Sequence, residues 1–156
     1  MEPRLDIMNN TVGARVVKYL VSANNAVVDS GLPAATQELM KIRASQINGC
    51  GFCLDMHTKD AAHAGETPAR LNLVAAWREA GVFTDAERAA LELTEQGARI
   101  ADGGAVTDDA WANAAKHYDD DQLAALVASV AIINAFNRLN VVLRRPAGDY
   151  QPGQIA

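Results

Sequence analysis

The stretch from Leu123 to Leu143 constrains the fold more than any other part of the chain. It is apolar almost all round a helical wheel, which a surface helix is not, so it lies at the centre of a helical bundle or is shared with another subunit. Ser129, Asn134, Asn137, Arg138 and Asn140 interrupt it. That set is too polar for a membrane span, so the stretch belongs inside protein. The acidic run Asp119-Asp120-Asp121 just ahead of it suits the positive end of a helix dipole.

The rest of the pattern is helical as well, with no run of strict alternation and no hairpin signal. Val12, Val16, Leu20, Ala23 and Val27 recur at steps of three and four, predicting a first helix with that face inward, ended by Ser30-Gly31. Pro33 suits the first position of a second helix extending to Asn48. Asn48-Gly49 is a stop and turn, after which Cys50 and Cys53 open a third helix running through Ala61 to a Gly65 stop. Thr67-Pro68 starts a helix through Glu79, with Leu71, Val74 and Ala75 inward and Gly81 closing it. Thr84-Asp85-Ala86-Glu87 has the form of a capping box, and the helix behind it reaches about Ile100. Asp102-Gly103-Gly104 breaks the chain before a capped segment from Thr107 to about His117. The expectation is an all-α, single-domain bundle over residues 1–156, with about six or seven helices. An irregular tail from about residue 146 is expected to lie across a neighbouring subunit of an oligomer.

A hydrophobic share of 49% and a charged share of 21% fit an ordinary globular protein with a real core. The formal net charge of -5, with no Lys/Arg cluster, argues against nucleic-acid and membrane-surface partners. Met1-Glu2-Pro3-Arg4-Leu5-Asp6 lacks the basic start and apolar run of a signal peptide, so a cytoplasmic address is expected. In that compartment thiols are kept reduced, and a close Cys pair points to catalysis or metal binding before structural cross-linking.

Both cysteines fall in Cys50-Gly51-Phe52-Cys53-Leu54-Asp55-Met56-His57. On a helix, Cys50, Cys53 and His57 lie within an arc of roughly 60° and face the same neighbour. Positions i and i+3 have Cα atoms ~5 Å apart, so a disulfide can close and open without unfolding the helix. A loop that short restrains the unfolded chain very little, which weakens the reading of a stabilising staple. The first helical turn lowers a thiol's pKa, and an imidazole one turn on can take its proton. The helix start favours Cys50 as the attacking thiolate and His57 favours Cys53, and the spacing leaves the choice open. Two rival readings are a buried, inert thiol pair and a zinc site from Cys50, Cys53, His57 and Glu38. The second draws three of its ligands from one helix, unlike most closed structural sites.

Glu38 projects at the edge of the apolar arc that Ala35, Leu39 and Ile42 mark on the second helix, with Lys41 and Ser45 in the middle of the solvent face. If the second and third helices pack antiparallel about Gly49, Glu38 approaches His57 directly or through water, completing a set of nucleophile, base and orienter. Arg43 and Gln46 also fall in the apolar arc. Arg43 is expected to pair a buried carboxylate, and Gln46 to hold backbone at the turn. His63 points well away from the cysteine stripe, His117 reads as a helix-end residue, and Trp77 and Trp111 as core or interface anchors.

From about Glu38 to Arg70 the chain resembles the alkylhydroperoxidase D-like branch of the carboxymuconolactone decarboxylase superfamily. The residues that carry the likeness are Glu38, the run Arg43-Ala44-Ser45-Gln46-Ile47-Asn48-Gly49-Cys50, the run Cys53-Leu54-Asp55-Met56-His57-Thr58-Lys59-Asp60-Ala61, and Gly65-Glu66-Thr67. A weaker likeness continues through Trp77-Arg78-Glu79-Ala80, the segment from Phe83 to Leu91, and Ile133-Asn134-Ala135-Phe136-Asn137-Arg138. The resemblance implies an all-helical fold, trimers or hexamers, and reduction of organic hydroperoxides by the cysteine pair with no cofactor, metal or flavin. It also implies Cys53 as the peroxidatic thiol, Cys50 as the resolving thiol, and His57 with Glu38 as a proton relay through water. A dithiol reductant, either a thioredoxin-like or a lipoyl-bearing protein, would then reopen the disulfide. The chain departs from the best-known members at Phe52, where they carry a histidine directly before the second cysteine. One proton carrier is lost and the surround is more apolar, which points to slower peroxidase turnover or a different substrate. True lactone decarboxylases of the superfamily lack the cysteine pair. The expectation is therefore a cofactor-free thiol peroxidase. The alternatives are a thiol-disulfide oxidoreductase or redox sensor with weak peroxidase activity, and a non-catalytic assembly protein on the same scaffold.

Overall fold

A computed structural model describes residues 2–154. Its α-helices are α1 (Thr11–Val28), α2 (Ala34–Asn48), α3 (Gly51–His63), α4 (Pro68–Leu73), α5 (Asp85–Ala98), α6 (Asp108–Ala114) and α7 (Asp120–Leu143), and no strand occurs among the described residues. The fold is all-α, as the periodicity predicts.

The apolar stretch becomes α7, which packs against α1, α2, α3 and α5. Asp119 and Gln122 form a capping box at its start, satisfying two free backbone N–H groups. Leu123, Leu126, Val130 and Ile133 are buried on it. Two of its polar interruptions are bonded to α2: Asn48 Nδ2 donates to Asn134 Oδ1 at 3.0 Å and to Asn137 Oδ1 at 2.9 Å, and Asn137 Nδ2 donates to Ser45 Oγ at 3.0 Å. By length and composition α7 could cross a bilayer. In this fold it is instead the axis on which the bundle packs.

Two apolar clusters hold the layers together. Val27, Leu32, Met40, Leu93 and Leu126 join the end of α1 to α2, α5 and α7. Leu39, Ile42, Val74, Trp77, Phe83 and Leu91 join α2 to the segment after α4 and to α5. Full burial of each such side chain is worth roughly 1.5–3 kcal/mol. The expected Thr84 capping box is present at the start of α5.

Several local expectations are corrected. Lys41 and Ser45 are buried, at 7% and 0% exposure, because α2 is enclosed by α3, α5 and α7 and has no solvent face there. Enclosure is tolerated because Lys41 pairs with Glu38 and Ser45 accepts from Asn137. The helix expected through Glu79 stops at Leu73 and tightens into a 3-10 turn over Val74–Ala76. The Glu79 and Ala80 amides continue that tighter pattern onto the Ala76 and Trp77 carbonyls, and the Arg88 guanidinium closes the segment by taking the Trp77, Arg78 and Ala80 carbonyls. The turn leaves Ala75 exposed, while Val74 and Trp77 go inward. On α1 only Val27 is buried, and Val12 and Val16 face outward. The tail folds back on its own α3, where Asp55 accepts from the Gly148 and Tyr150 amides and Lys59 Nζ donates to the Gly148 and Tyr150 carbonyls.

Candidate active site

The local sequence sets the thiols on a helix start. Gly49 takes φ 66°, a left-handed conformation that glycine adopts without strain, and turns the chain sharply between α2 and α3. Cys50 becomes the N-cap of α3, its sulfur accepting from the Cys53 amide at 3.4 Å. Both cysteines are free thiols and 1% exposed.

The antiparallel packing of α2 and α3 brings Glu38 to His57. Glu38 Oε2 lies 2.8 Å from His57 Nδ1, a direct contact with no room for a bridging water. Its other oxygen accepts from Lys41 Nζ at 2.9 Å. Burial pushes the Glu38 carboxyl up, but the hydrogen bond and charge of His57, followed by Lys41, outweigh it and hold the group down at about 2. A carboxylate on Nδ1 fixes the ring's orientation and leaves Nε2 for exchange with a substrate.

Cys53 and His57 open on a common cavity of about 190 Å³, walled by Val17 and Val21 of α1, Phe52 and Met56 of α3, and Ile132 and Phe136 of α7. Cys50 is not part of that wall and sits behind Cys53. Contact with the Cys50 thiol is the main reason the Cys53 thiol is held down at about 6. Burial opposes this, while the Asn140 and Asn137 amides and the electrostatic effect of His57 add to it; Asn140 Nδ2 donates to Cys53 Sγ at 3.3 Å. The same contact, together with burial, pushes the Cys50 thiol far up. The two shifts run in opposite directions and favour negative charge on Cys53, the sulfur that faces the cavity, over Cys50.

Asn140 and Lys41 are missing from the sequence reading as site residues. Asn134, Asn137 and Asn140 recur every three residues on an apolar helix, a polar stripe that could have been read as aimed at α2 and α3. Lys41 follows Glu38 at i+3, the spacing of a helical ion pair. Arg43 pairs with Glu95 at 2.9 Å, as expected of it. The Gln46 side chain accepts from Arg43 at 3.3 Å, in place of the backbone role expected at the turn. His63 and His117 are exposed and take no part in the cavity wall. Trp77 is buried with its indole N–H on Glu95, and Trp111 is largely exposed. Among the described residues, no group of three or more His, Cys, Asp and Glu side chains has the arrangement of a metal site.

Comparison with known proteins gives a consistent answer. Residues 14–96 match the model of the carboxymuconolactone decarboxylase family. The chain is 37% identical over 127 residues to the uncharacterized protein YdfG of Bacillus subtilis, covering 81% of this chain and 86% of that one. A crystal structure of an Agrobacterium tumefaciens protein of unknown function, suggested to be the antioxidant defence protein AhpD, superposes with a TM-score of 0.87 at 33% identity, covering 96% of this chain and all of that one (100%). The debrominase Bmp8 shares the fold alone, with a TM-score of 0.78 at 17% identity over 92% of this chain and 75% of that one.

Proposed function

Since the chain belongs to the carboxymuconolactone decarboxylase family, in its alkylhydroperoxidase D-like branch, we propose that it is a thiol peroxidase that reduces organic hydroperoxides. The observation that carries this reading is the asymmetry of the thiols. Cys53 faces the cavity with Asn140 donating to its sulfur, Cys50 is buried outside the cavity wall, and the electrostatics favour charge on Cys53.

The Cys53 thiolate attacks the terminal oxygen of ROOH, and the O–O bond breaks. The alkoxide takes a proton from His57, whose ring Glu38 orients, and leaves as ROH, while Cys53 becomes a sulfenic acid. Cys50 then attacks the Cys53 sulfur, giving the Cys50–Cys53 disulfide and releasing water. A dithiol of the thioredoxin or lipoyl class reduces that disulfide by exchange and is itself oxidised. No metal or flavin enters these steps.

One equivalent of cumene hydroperoxide added to the reduced protein should consume both thiols and produce one cumyl alcohol. Cys50→Ser should stop at a sulfenic acid that dimedone traps, and Cys53→Ser should consume no peroxide. Thiols that remain free over minutes in the wild type would overturn the proposal. A second reading, thiol-disulfide oxidoreductase with weak peroxidase activity, is favoured by Phe52, whose ring stands beside Cys53 where a proton carrier would serve peroxide cleavage. It requires rapid exchange with small dithiols alongside slow peroxide reduction.

A further inference from the structure

The cavity holds four charged side chains besides its imidazole, and three of them are satisfied within the protein. Lys41 is paired with Glu38, Glu38 also holds His57, and Asp60 accepts from the Tyr150 hydroxyl at 2.9 Å and the Gly153 amide at 3.2 Å. Arg145 is the exception: its backbone amide donates to the Asn140 carbonyl, but among the described residues no carboxylate or carbonyl accepts its guanidinium N–H groups. Of the negative groups whose charge it feels, Cys53 and Cys50 come first, and Asp6, the last, is bonded instead to the Met8 and Asn9 amides and the Asn9 side chain.

Arg145 is nevertheless held in place. Its guanidinium carbon lies 3.7 Å from the centroid of the Phe52 ring, the residue beside Cys53. The Phe52 ring in turn meets Tyr150 edge-on at 6.5 Å, and Tyr150 is anchored to Asp60 and Asp55. A guanidinium stacked on an aromatic face keeps its N–H edge free for a bidentate anion. Partial burial lowers its pKa against the opposing pull of the Cys53 and Cys50 sulfurs and of Asp6, so the charge is turned toward the thiol pair and the cavity while its N–H edge has no hydrogen-bond acceptor among the described residues. The far wall is the apolar set on α1 and α7, and the volume suits a compact aryl or branched alkyl body.

We propose that the cavity selects hydroperoxides bearing a carboxylate, with the apolar body between α1 and α7, the carboxylate on the Arg145 fork, and the peroxide at Cys53. Phe52 is then the platform for the specificity-determining cation, in addition to marking a lost proton carrier. The inference rests on the peroxidase reading for its chemistry, but the anion site itself can be tested without any peroxide.

Two measurements separate them. The para-carboxylate of cumene hydroperoxide and its methyl ester share the same reacting group and differ only at the para position, where the acid is charged and the ester neutral. The wild type should reduce the acid with a kcat/KM about tenfold or more above the ester, the worth of a charge-assisted hydrogen bond, with Arg145→Met bringing the ratio to about one and Arg145→Lys restoring part of it. Binding of para-isopropylbenzoate, which carries no peroxide, should weaken by a similar factor in Arg145→Met. Equal rates for acid and ester, or a preference that survives Arg145→Met, would overturn the inference and leave the peroxidase reading standing. Arg145-dependent binding of para-isopropylbenzoate with no reaction of either peroxide would support the anion site and overturn the peroxidase reading.

Discussion

Asn140 reaches the Cys53 sulfur from a different helix, so its donor can be removed without touching α3 or the imidazole. An N–H donor stabilises the thiolate over the thiol and lowers the pKa. The alkylation rate of Cys53 by iodoacetamide should therefore rise with pH through a midpoint near 6 in the wild type, since deprotonation creates the nucleophile. In Asn140→Leu the midpoint should move up by about one unit, as expected for the loss of a hydrogen bond to a charged group worth ~1.5 kcal/mol or more. An unmoved midpoint would mean that the contact does nothing for the thiolate. Residues of this kind show how far a sequence reading reaches. The meeting of Glu38 and His57 was legible because both positions follow from helical spacing about a glycine turn. Asn140 was legible only as one of a polar stripe on α7; its contact with one particular sulfur depends on the rotation of α7 against α3, which no local periodicity encodes. Lys41 was assigned to solvent because its charge was read without the partner that lets it be buried.

At the scale of elements, the α2–Gly49–α3 turn does the positioning, joining the carboxylate-bearing helix to the thiol-bearing one. A Cβ at Gly49 would meet nothing within 4 Å, so a side chain there has space but the wrong backbone. Gly49→Ala should cost about 1 kcal/mol, the penalty of the left-handed region for a residue with a Cβ. In urea it should lower the unfolding midpoint with an unchanged slope, which marks a change in stability and not in compactness. No shift in midpoint would show that the turn does not depend on glycine. This turn, the Thr84 box on α5 and the Asp119 start of α7 were all readable, because caps and stops are local chemistry. The end of α4 was not: past Leu73 the chain tightens into a 3-10 turn and Arg88, on α5, caps the Trp77, Arg78 and Ala80 carbonyls, a long-range contact that leaves no mark between Thr67 and Gly81.

For the whole molecule the unusual feature is α1. It supplies Val17, Val21, Asn24 and Asn25 to the cavity wall, yet it buries only Val27 and packs chiefly against α7. On its other side Val12, Val16 and Tyr19 are 71%, 43% and 65% exposed, at steps of four and three that align them on one face. An apolar stripe of this kind on a helix that its own chain holds loosely is what a subunit interface would cover. We therefore expect an oligomer in which a second copy closes over α1 and fixes one wall of the cavity. Light scattering at micromolar concentration should give a mass above that of one chain, and Val16→Glu combined with Tyr19→Glu should reduce it to one. Because the dissociated chain keeps Cys53, His57 and Glu38 but loosens α1, its peroxide kcat should change little while KM rises several-fold, the pattern of lost binding without lost chemistry. A wild type with the mass of a single chain, or a double variant that still assembles, would show that the exposed stripe on α1 is not the interface. Neither result would bear on the chemistry assigned to the two thiols.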